Sequence, residues 1–179
     1  HKTLINTHKK ELIAEAAGRG KQSIVLIPEI ALTYQTVMRF YHRFGDRVSI
    51  MNSKLSLGER SDQFERAKKG EIDVMIGPRS ALFTPFSNLG YIIIDEEHEG
   101  TYKSETIPRY HARETAIERA RMSGATVILG SATPSIECFY HAKKGDYLLL
   151  SMDKRVKEKP LPECEIVDLR EELKARNFS

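Results

Sequence analysis

Short apolar runs rich in branched residues recur along the chain, and stretches with helical periodicity separate them. Such runs are typical of strands that are buried on both faces of a sheet. We therefore predict five strands, at residues 23–27, 48–52, 74–77, 91–95 and 126–131.

The stretches between these runs carry apolar residues at helical spacing. Two faces follow the i, i+3 or i+4, i+7 pattern of a helix packed on a sheet: Val37, Phe40, Tyr41 and Phe44, then Ala112, Ala116, Ile117 and Ala120. Ser56 and Glu59 have capping-box spacing and predict the start of a helix carrying Phe64 and Ala67. Alternating strands and helices predict an α/β fold with a mostly parallel central sheet and helices on both faces.

Composition fits one ordinary globular domain. The chain has 179 residues, of which 40% are hydrophobic and 30% charged, and we assign residues 1–150 to the domain. Residues 151–179 turn charged and proline-bearing, which predicts a linker that leads out of the domain towards something absent. The chain contains no long apolar run that resembles a membrane span or signal peptide, so we expect a soluble cytoplasmic protein without a membrane partner.

Charge and cysteine content add little. A net charge of +3 permits an anionic partner but could equally belong to a solvated surface. Cys138 and Cys164 lack the spacing of a zinc site or a disulfide framework, and we expect both to be reduced and structural.

Acidic residues follow the fourth predicted strand directly: Asp95, Glu96, Glu97 and His98. At the carboxyl end of a buried strand, one carboxylate can hold Mg²⁺ through water while its neighbour orients and deprotonates an attacking water. We assign the metal to Asp95 and the catalytic role to Glu96. The alternative is an acidic helix start favoured by the helix dipole, and these residues alone leave both interpretations open.

A second polar turn, residues 130–135, closes the fifth strand. We predict that the strands ending at Asp95 and Ser131 are parallel neighbours whose ends face one cleft. The small hydroxyls of this turn would then lie close to the acidic turn and could couple a nucleotide site to a moving part. Thr133 followed by Pro134 also predicts a helix N-cap with proline at the first helical position. The two interpretations are compatible.

These turns resemble motifs II and III of superfamily 2 helicases, and further segments resemble the PriA (primosomal protein N-prime) family in particular. Residues 26–33 resemble its motif Ia, 76–83 its motif Ib, 102–113 its aromatic-rich loop, and 167–170 the segment leading to its second lobe. The resemblance runs in order from about Gly20 to about Arg176.

The resemblance implies a RecA-like P-loop NTPase lobe, the first motor lobe of an ATP-dependent 3′-to-5′ DNA helicase that acts in replication restart and primosome assembly. It implies ATP and Mg²⁺ as cofactors, with zinc only outside this chain. It also implies single-stranded or forked DNA, primosome proteins and single-strand-binding proteins as partners of the parent. Within the site it implies coupling roles for His98, Ser131 and Thr133, and a less direct role for Glu97 than for Glu96.

The resemblance places motifs Ia and Ib on the DNA face, and therefore Pro28, Glu29, Thr33, Arg79 and Ser80. Each has an ordinary alternative: Pro28 can end a strand, Glu29 cannot attract phosphate, and Arg79 can pair with a carboxylate. The loop has physical support of its own, because aromatic rings beside cations suit unpaired bases. Its members are Tyr102, Lys103, Arg109, Tyr110, His111 and Arg113. We expect Tyr102 and Lys103 to be exposed, and leave Tyr110 open between DNA contact and core anchor.

No complete phosphate loop of the form G-x-x-x-x-G-K-[ST] occurs in the chain. Gly18 to Lys21 follows a helix and precedes a strand, which is the reverse of the required order. Lys2 and Thr3 precede a helix and are interpreted as a remnant of such a loop, although His1 stands where the final glycine is expected. We therefore expect little turnover from this fragment alone.

Two other functions stay open. The chain could be a non-catalytic DNA- or partner-binding module with a RecA-like shape, which the missing phosphate loop favours. A metal-dependent hydrolase built on the acidic cluster and His98 is disfavoured, because no second histidine lies at ligand spacing.

Overall fold

The computed structural model describes residues 2–151, with residues 2–8 described by their backbone only. Residues Lys2–Leu149 form one compact unit. Within it, five strands alternate with helices: β1 (Gln22–Leu26), β2 (Val48–Ile50), β3 (Val74–Gly77), β4 (Leu89–Asp95) and β5 (Thr126–Gly130). Every predicted strand is present, and the bounds differ by two residues at most.

Five α-helices accompany the strands: α1 (Lys2–Gly18), α2 (Tyr34–Phe44), α3 (Leu57–Lys68), α4 (Ala112–Ser123) and α5 (Ile136–Lys144). The capping box predicted for α3 is present, because the Ser56 hydroxyl accepts from the Glu59 N–H while the Glu59 carboxylate accepts from the Ser56 N–H. Short 3₁₀ helices follow β1 and β3, at Glu29–Ala31 and Arg79–Phe83.

All five strands are parallel, in the order β2-β3-β1-β4-β5. Alternate residues of the central strands β1, β3 and β4 enter two separate cores. On one face, Ile24 and Ile92 pack with α3 and α4. On the other, Val25 and Ile93 pack with Ile13 of α1 and with α2. The fold is therefore the predicted α/β sandwich with helices on both faces.

Two details of the predicted pattern are wrong. Tyr41 lies outside the buried face of α2, where it is 45% exposed and its hydroxyl donates to Asp46. β5 is only partly buried, because it has a strand on one side alone within the described residues.

The predicted linker at 151–179 lies outside the described residues except for Ser151, as does Cys164. In the part of the chain that the structure describes, no helix combines the length and apolar character needed to cross a bilayer.

Candidate nucleotide and nucleic-acid site

The acidic turn and the second polar turn lie side by side at the carboxyl edge of the sheet. β4 and β5 are paired in register, with Asp95 opposite Gly130. The turn that follows β4 bonds back to the neighbouring strand, since the Glu97 N–H donates to the Gly130 carbonyl at 3.1 Å. The expectation that these two strands are parallel neighbours is confirmed. Both polar motifs therefore face the same edge, where ligands of open parallel sheets bind.

Asp95 is held from three directions. Its Oδ1 accepts from the Lys9 ammonium at 2.5 Å and from the Glu96 N–H at 3.1 Å, while its carbonyl accepts from the Tyr102 hydroxyl at 2.6 Å. Lys9 is only 6% exposed, and its role was missed from the sequence. A signal for its burial existed, because Lys9, Ile13 and Ala16 share one face of α1 at i, i+4 and i+7 spacing.

Glu96 adopts a backbone conformation that side chains other than glycine rarely adopt. Its φ is +51°, in the left-handed region. The conformation is fixed on both sides, by the bond from the Glu96 N–H to Asp95 Oδ1 and by the bond from the Glu97 N–H to Gly130. Strain of this kind concentrates at functional sites. The left-handed backbone at Glu96 directs its carboxylate towards His98, and His98 Nδ1 lies 3.9 Å from Glu96 Oε2.

His98 connects the two turns. Its Nδ1 lies 2.7 Å from the Ser131 hydroxyl, and the same hydroxyl accepts from the Thr133 N–H at 3.0 Å. A serine hydroxyl can accept one hydrogen bond while it donates another. The residues predicted to couple the site, His98, Ser131 and Thr133, are therefore joined in one chain of contacts that starts beside Glu96.

Glu97 has a more central position than its predicted role as a neighbour of Glu96 suggests. It is 3% exposed, and its carboxylate accepts from the Ser135 N–H at 2.7 Å and from the Ser135 hydroxyl at 3.0 Å. Arg113 completes the cluster with Nη1 at 3.5 Å from Glu97 Oε2. An acidic side chain that is almost fully buried requires such partners.

Two predictions about these partners are wrong. Ser135, and not Thr133, caps α5, because its hydroxyl accepts from the Cys138 N–H. Arg113 does not offer its charge to solvent beside the aromatic rings. It is 8% exposed and directed towards Glu97 and Ser135.

The donor set at the acidic turn suits Mg²⁺ bound together with a nucleotide. The described residues contain no group of three or more His, Cys, Asp or Glu side chains placed to enclose a metal. Mg²⁺ commonly uses one or two carboxylates and completes its shell with water and phosphate oxygens. Asp95 can supply the protein ligand in this arrangement. Lys2 and Thr3 lie in the first turn of α1, and their side chains are outside the described residues.

The residues predicted for the DNA face differ in exposure. Pro28 is buried, whereas Glu29 and Thr33 are exposed. Glu29 accepts from the backbone N–H and the hydroxyl of Ser53, and the side-chain bond first and the backbone bond second lower the pKa of its carboxyl. Thr33 caps α2.

Arg79 organises the loop that follows the acidic turn. Its Nη1 donates to the carbonyls of Thr101 at 2.9 Å and Lys103 at 2.8 Å. Arg79 thus has two backbone carbonyls as partners in place of the carboxylate that the sequence offered as an alternative. Ser80 is half-buried beside it.

The 103–111 loop, as we call residues 103 to 111, has closed ends and an exposed middle. Lys103 and His111 form an antiparallel bridge, and the Ser104 N–H donates to the Tyr110 carbonyl. Lys103 and Arg109 are exposed. The Tyr110 ring packs edge-on against Phe83 at 5.3 Å between centroids, and Phe83 is itself 50% exposed. Phe83 was not among the predicted aromatic residues.

Tyr102 was expected to be exposed, which is wrong. Its ring is 1% exposed and its hydroxyl bonds to the Asp95 carbonyl, so it cannot offer a stacking surface. Burial, with the nearby Asp95 charge second, raises the pKa of Tyr102 far above its usual range. His111 is half-buried and caps α4, because its Nδ1 accepts from the Arg113 N–H. Burial and then the Arg113 charge lower the pKa of His111.

The chain is similar in sequence to known helicase proteins. The DEAD/DEAH box helicase family model matches residues 3–139. The chain is similar to the replication restart protein PriA of Bacillus subtilis, with 51% identity over 167 residues, which is 93% of this chain and 21% of that protein. It is also 49% identical over 143 residues to PriA of Chlamydia pneumoniae, which is 79% of this chain and 19% of that protein. The chain spans about a fifth of the length of these relatives.

Among solved structures, the C-terminal domain of Saccharomyces cerevisiae Dbp5 in complex with Gle1 is similar, with a TM-score of 0.50 and 15% identity over 78% of this chain and 80% of that one. At this identity the similarity concerns the fold alone.

Proposed function

The chain belongs to the DEAD/DEAH box helicase family, and from this membership we infer that it is the first RecA-like motor lobe of an ATP-dependent DNA helicase. We propose that the parent protein acts in replication restart in the cytoplasm, moves 3′ to 5′ along DNA, and meets forked DNA, primosome proteins and single-strand-binding proteins. The similarity to PriA proteins supports these assignments.

One observation carries the motor assignment. The acidic turn after β4 and the turn after β5 are joined through His98 Nδ1 and the Ser131 hydroxyl, 2.7 Å apart. This contact lies two residues from Glu96 and connects the acidic turn to a second segment, the turn after β5. A hydrolysis site linked to a separate segment by a direct contact is what a motor requires.

In the proposed reaction, Asp95 would hold the metal of Mg-ATP. Glu96 would orient the attacking water and accept its proton as the bond between the γ-phosphate and ADP breaks. Bound Mg²⁺ would neutralise charge on the phosphate oxygens. The fixed backbone at Glu96 limits how far its carboxylate can move. His98, Ser131 and Thr133 report the state of the site to the turn after β5. Lys2 and Thr3 are proposed to contact the phosphates.

The proposed DNA face uses exposed and half-buried groups on three segments. Arg109 and Lys103 on the 103–111 loop provide charge, Tyr110 provides an aromatic edge, and Thr33 and Ser80 provide hydroxyls near the sheet edge. Contacts of this type hold the phosphate backbone and do not read base sequence. Glu29, Arg79 and His111 have structural partners and are proposed to shape this face.

The test is DNA-stimulated ATP hydrolysis by the full-length parent. Glu96→Gln removes the base but keeps the shape, so we expect kcat to fall by at least about 100-fold with nearly normal Mg-ATP affinity. Asp95→Asn should weaken both nucleotide binding and turnover. Glu99→Gln, in the same turn, is the matched control and should stay within about twofold of the parent. A near-parental rate for Glu96→Gln would show that Glu96 is not the base.

A second function, a non-catalytic DNA- or partner-binding module, is favoured by the Lys9 ammonium on Asp95. This ion pair occupies one oxygen of the carboxylate that a metal would need. The same experiment separates the two functions. If the protein is a module without chemistry, neither the parent nor any of the three variants hydrolyses ATP. DNA affinity, measured on the same four proteins, is then equal in all of them.

A further inference from the structure

A buried ion pair joins three segments of the site behind the acidic turn. The Glu97 and Arg113 side chains are 1% and 10% exposed and lie 3.5 Å apart. Ser135 contacts both, since its hydroxyl lies 3.0 Å from Glu97 Oε2 and 3.0 Å from Arg113 Nη1. The cluster therefore connects the end of β4, the start of α4 and the start of α5.

Arg113 is fixed to the 103–111 loop. It is the second residue of α4, and its N–H donates to Nδ1 of His111, the N-cap. His111 in turn bridges to Lys103 across the closed ends of the loop. A displacement of the loop must therefore move the N-terminus of α4 and with it the Arg113 guanidinium.

Glu97 is fixed to the acidic turn. It follows Glu96 directly, and its N–H donates to the Gly130 carbonyl. Its carboxylate also accepts both hydrogen bonds that Ser135 can offer it. A displacement of Arg113 is therefore felt at the backbone of Glu96 and at the N-cap of α5.

Burial makes this connection stiff. Charged groups that have lost their water keep their partners, because a buried charge without a partner is strongly unfavourable. Water cannot readily replace Arg113 beside a carboxylate that is almost fully enclosed. The pair can therefore move as a unit or break, but it has no solvated intermediate that would absorb the motion.

We propose that Glu97 and Arg113 are positioning residues that couple nucleic-acid binding on the 103–111 loop to the geometry of the acidic turn. This inference rests on the proposed motor function. It assigns a role to the second glutamate of the turn and to Arg113, which is buried beside the loop.

The experiment measures ATP turnover by the full-length parent with and without an oligothymidine strand. The readout is the ratio of the stimulated to the basal kcat, together with the thermal midpoint of each variant. Glu97→Gln keeps the size and part of the hydrogen bonding but removes the charge. Arg113→Lys keeps the charge but removes the planar guanidinium, so the two substitutions perturb the pair from opposite sides.

We expect each variant to lower the stimulation ratio by at least about fivefold. The double variant should fall no further than the larger single effect, because both substitutions break one connection. Glu118→Gln and Arg121→Met are the matched controls: they form an exposed ion pair on the same helix and should leave the ratio unchanged.

A merely structural role would lower the thermal midpoint and reduce both rates by the same factor, so an unchanged ratio in the folded variants overturns the proposal. Should Glu97→Gln fail to fold, Arg113→Lys decides. Failure of the parent to hydrolyse ATP at all would instead remove the proposed motor function, and this inference with it.

Discussion

At the scale of the residue, the site depends on side chains with more than one partner. His111 is an example, because it caps α4, closes the 103–111 loop and neighbours Arg113. A histidine can accept the cap hydrogen bond at Nδ1 only while that nitrogen is unprotonated. The cap is therefore sensitive to pH in a way that a serine or asparagine cap is not.

The pH dependence of stability follows from the lowered pKa of His111. Because the pKa is lower in the folded than in the unfolded state, the unfolded state binds more protons at mildly acidic pH. The contribution of His111 is complete above its unfolded pKa of about 6.5 and is lost as pH falls through the folded pKa.

We predict that His111→Asn, which caps without titrating, loses less stability than the parent chain between about pH 8 and about pH 5. Urea unfolding of both chains at each pH gives the free energy of unfolding. The difference between the two chains cancels the contribution of the other histidines, which both chains share. Parallel losses in the two chains would show that His111 does not contribute to the pH dependence.

At the scale of the element, N-caps set where helices start, and α5 starts two residues later than the sequence suggests. Thr133 and Ser135 both have cap chemistry, and Pro134 favours Thr133. Ser135 is the cap because its N–H and hydroxyl donate to Glu97, whereas the Thr133 N–H donates to the Ser131 hydroxyl. The start of α5 is thus decided by a carboxylate from the turn after β4.

We predict that Ser135→Ala destabilises the chain by about 1 to 2 kcal/mol, since it removes the cap and one partner of the buried Glu97. Thr133→Ala, two residues away and exposed, should change stability by less than about 0.5 kcal/mol. Urea midpoints of the two variants provide the comparison. Equal losses in the two variants would contradict the assignment of Ser135 as the cap.

At the scale of the whole molecule, the central strands hold the fold together. β1, β3 and β4 each have neighbours on both sides, and their apolar side chains enter both cores. β5 pairs only with β4 among the described residues and is partly exposed. The edge that carries the turn after β5 is therefore the less protected part of the site.

We predict that the backbone amides of Ile92, Ile93 and Ile94 exchange with solvent at least about tenfold more slowly than those of Val127, Ile128 and Leu129 in this chain. Hydrogen–deuterium exchange resolved to single strands measures both sets in one sample. Equal protection would mean that β5 opens only with the whole sheet, which would argue against a mobile turn after it.

The sequence alone determined the alternation of strands and helices along the chain, the α/β class, the capping box of α3 and the location of the acidic and hydroxyl-bearing turns. These features are local: periodicity, caps and turn residues act within a few positions of each other. The pairing of β4 with β5 also followed, because parallel strands that end in polar motifs tend to share an edge.

Tertiary structure alone decided the partners of the charged side chains. Lys9 lies 86 positions from Asp95 in the chain, and Arg113 and Ser135 reach Glu97 from two different helices. Tyr102 and Arg113 are residue types that are common on nucleic-acid-binding surfaces, but both are buried. Spacing along the chain can place Lys9 on the buried face of α1, but the identity of its partner depends on which distant segments pack together, and the spacing does not encode that.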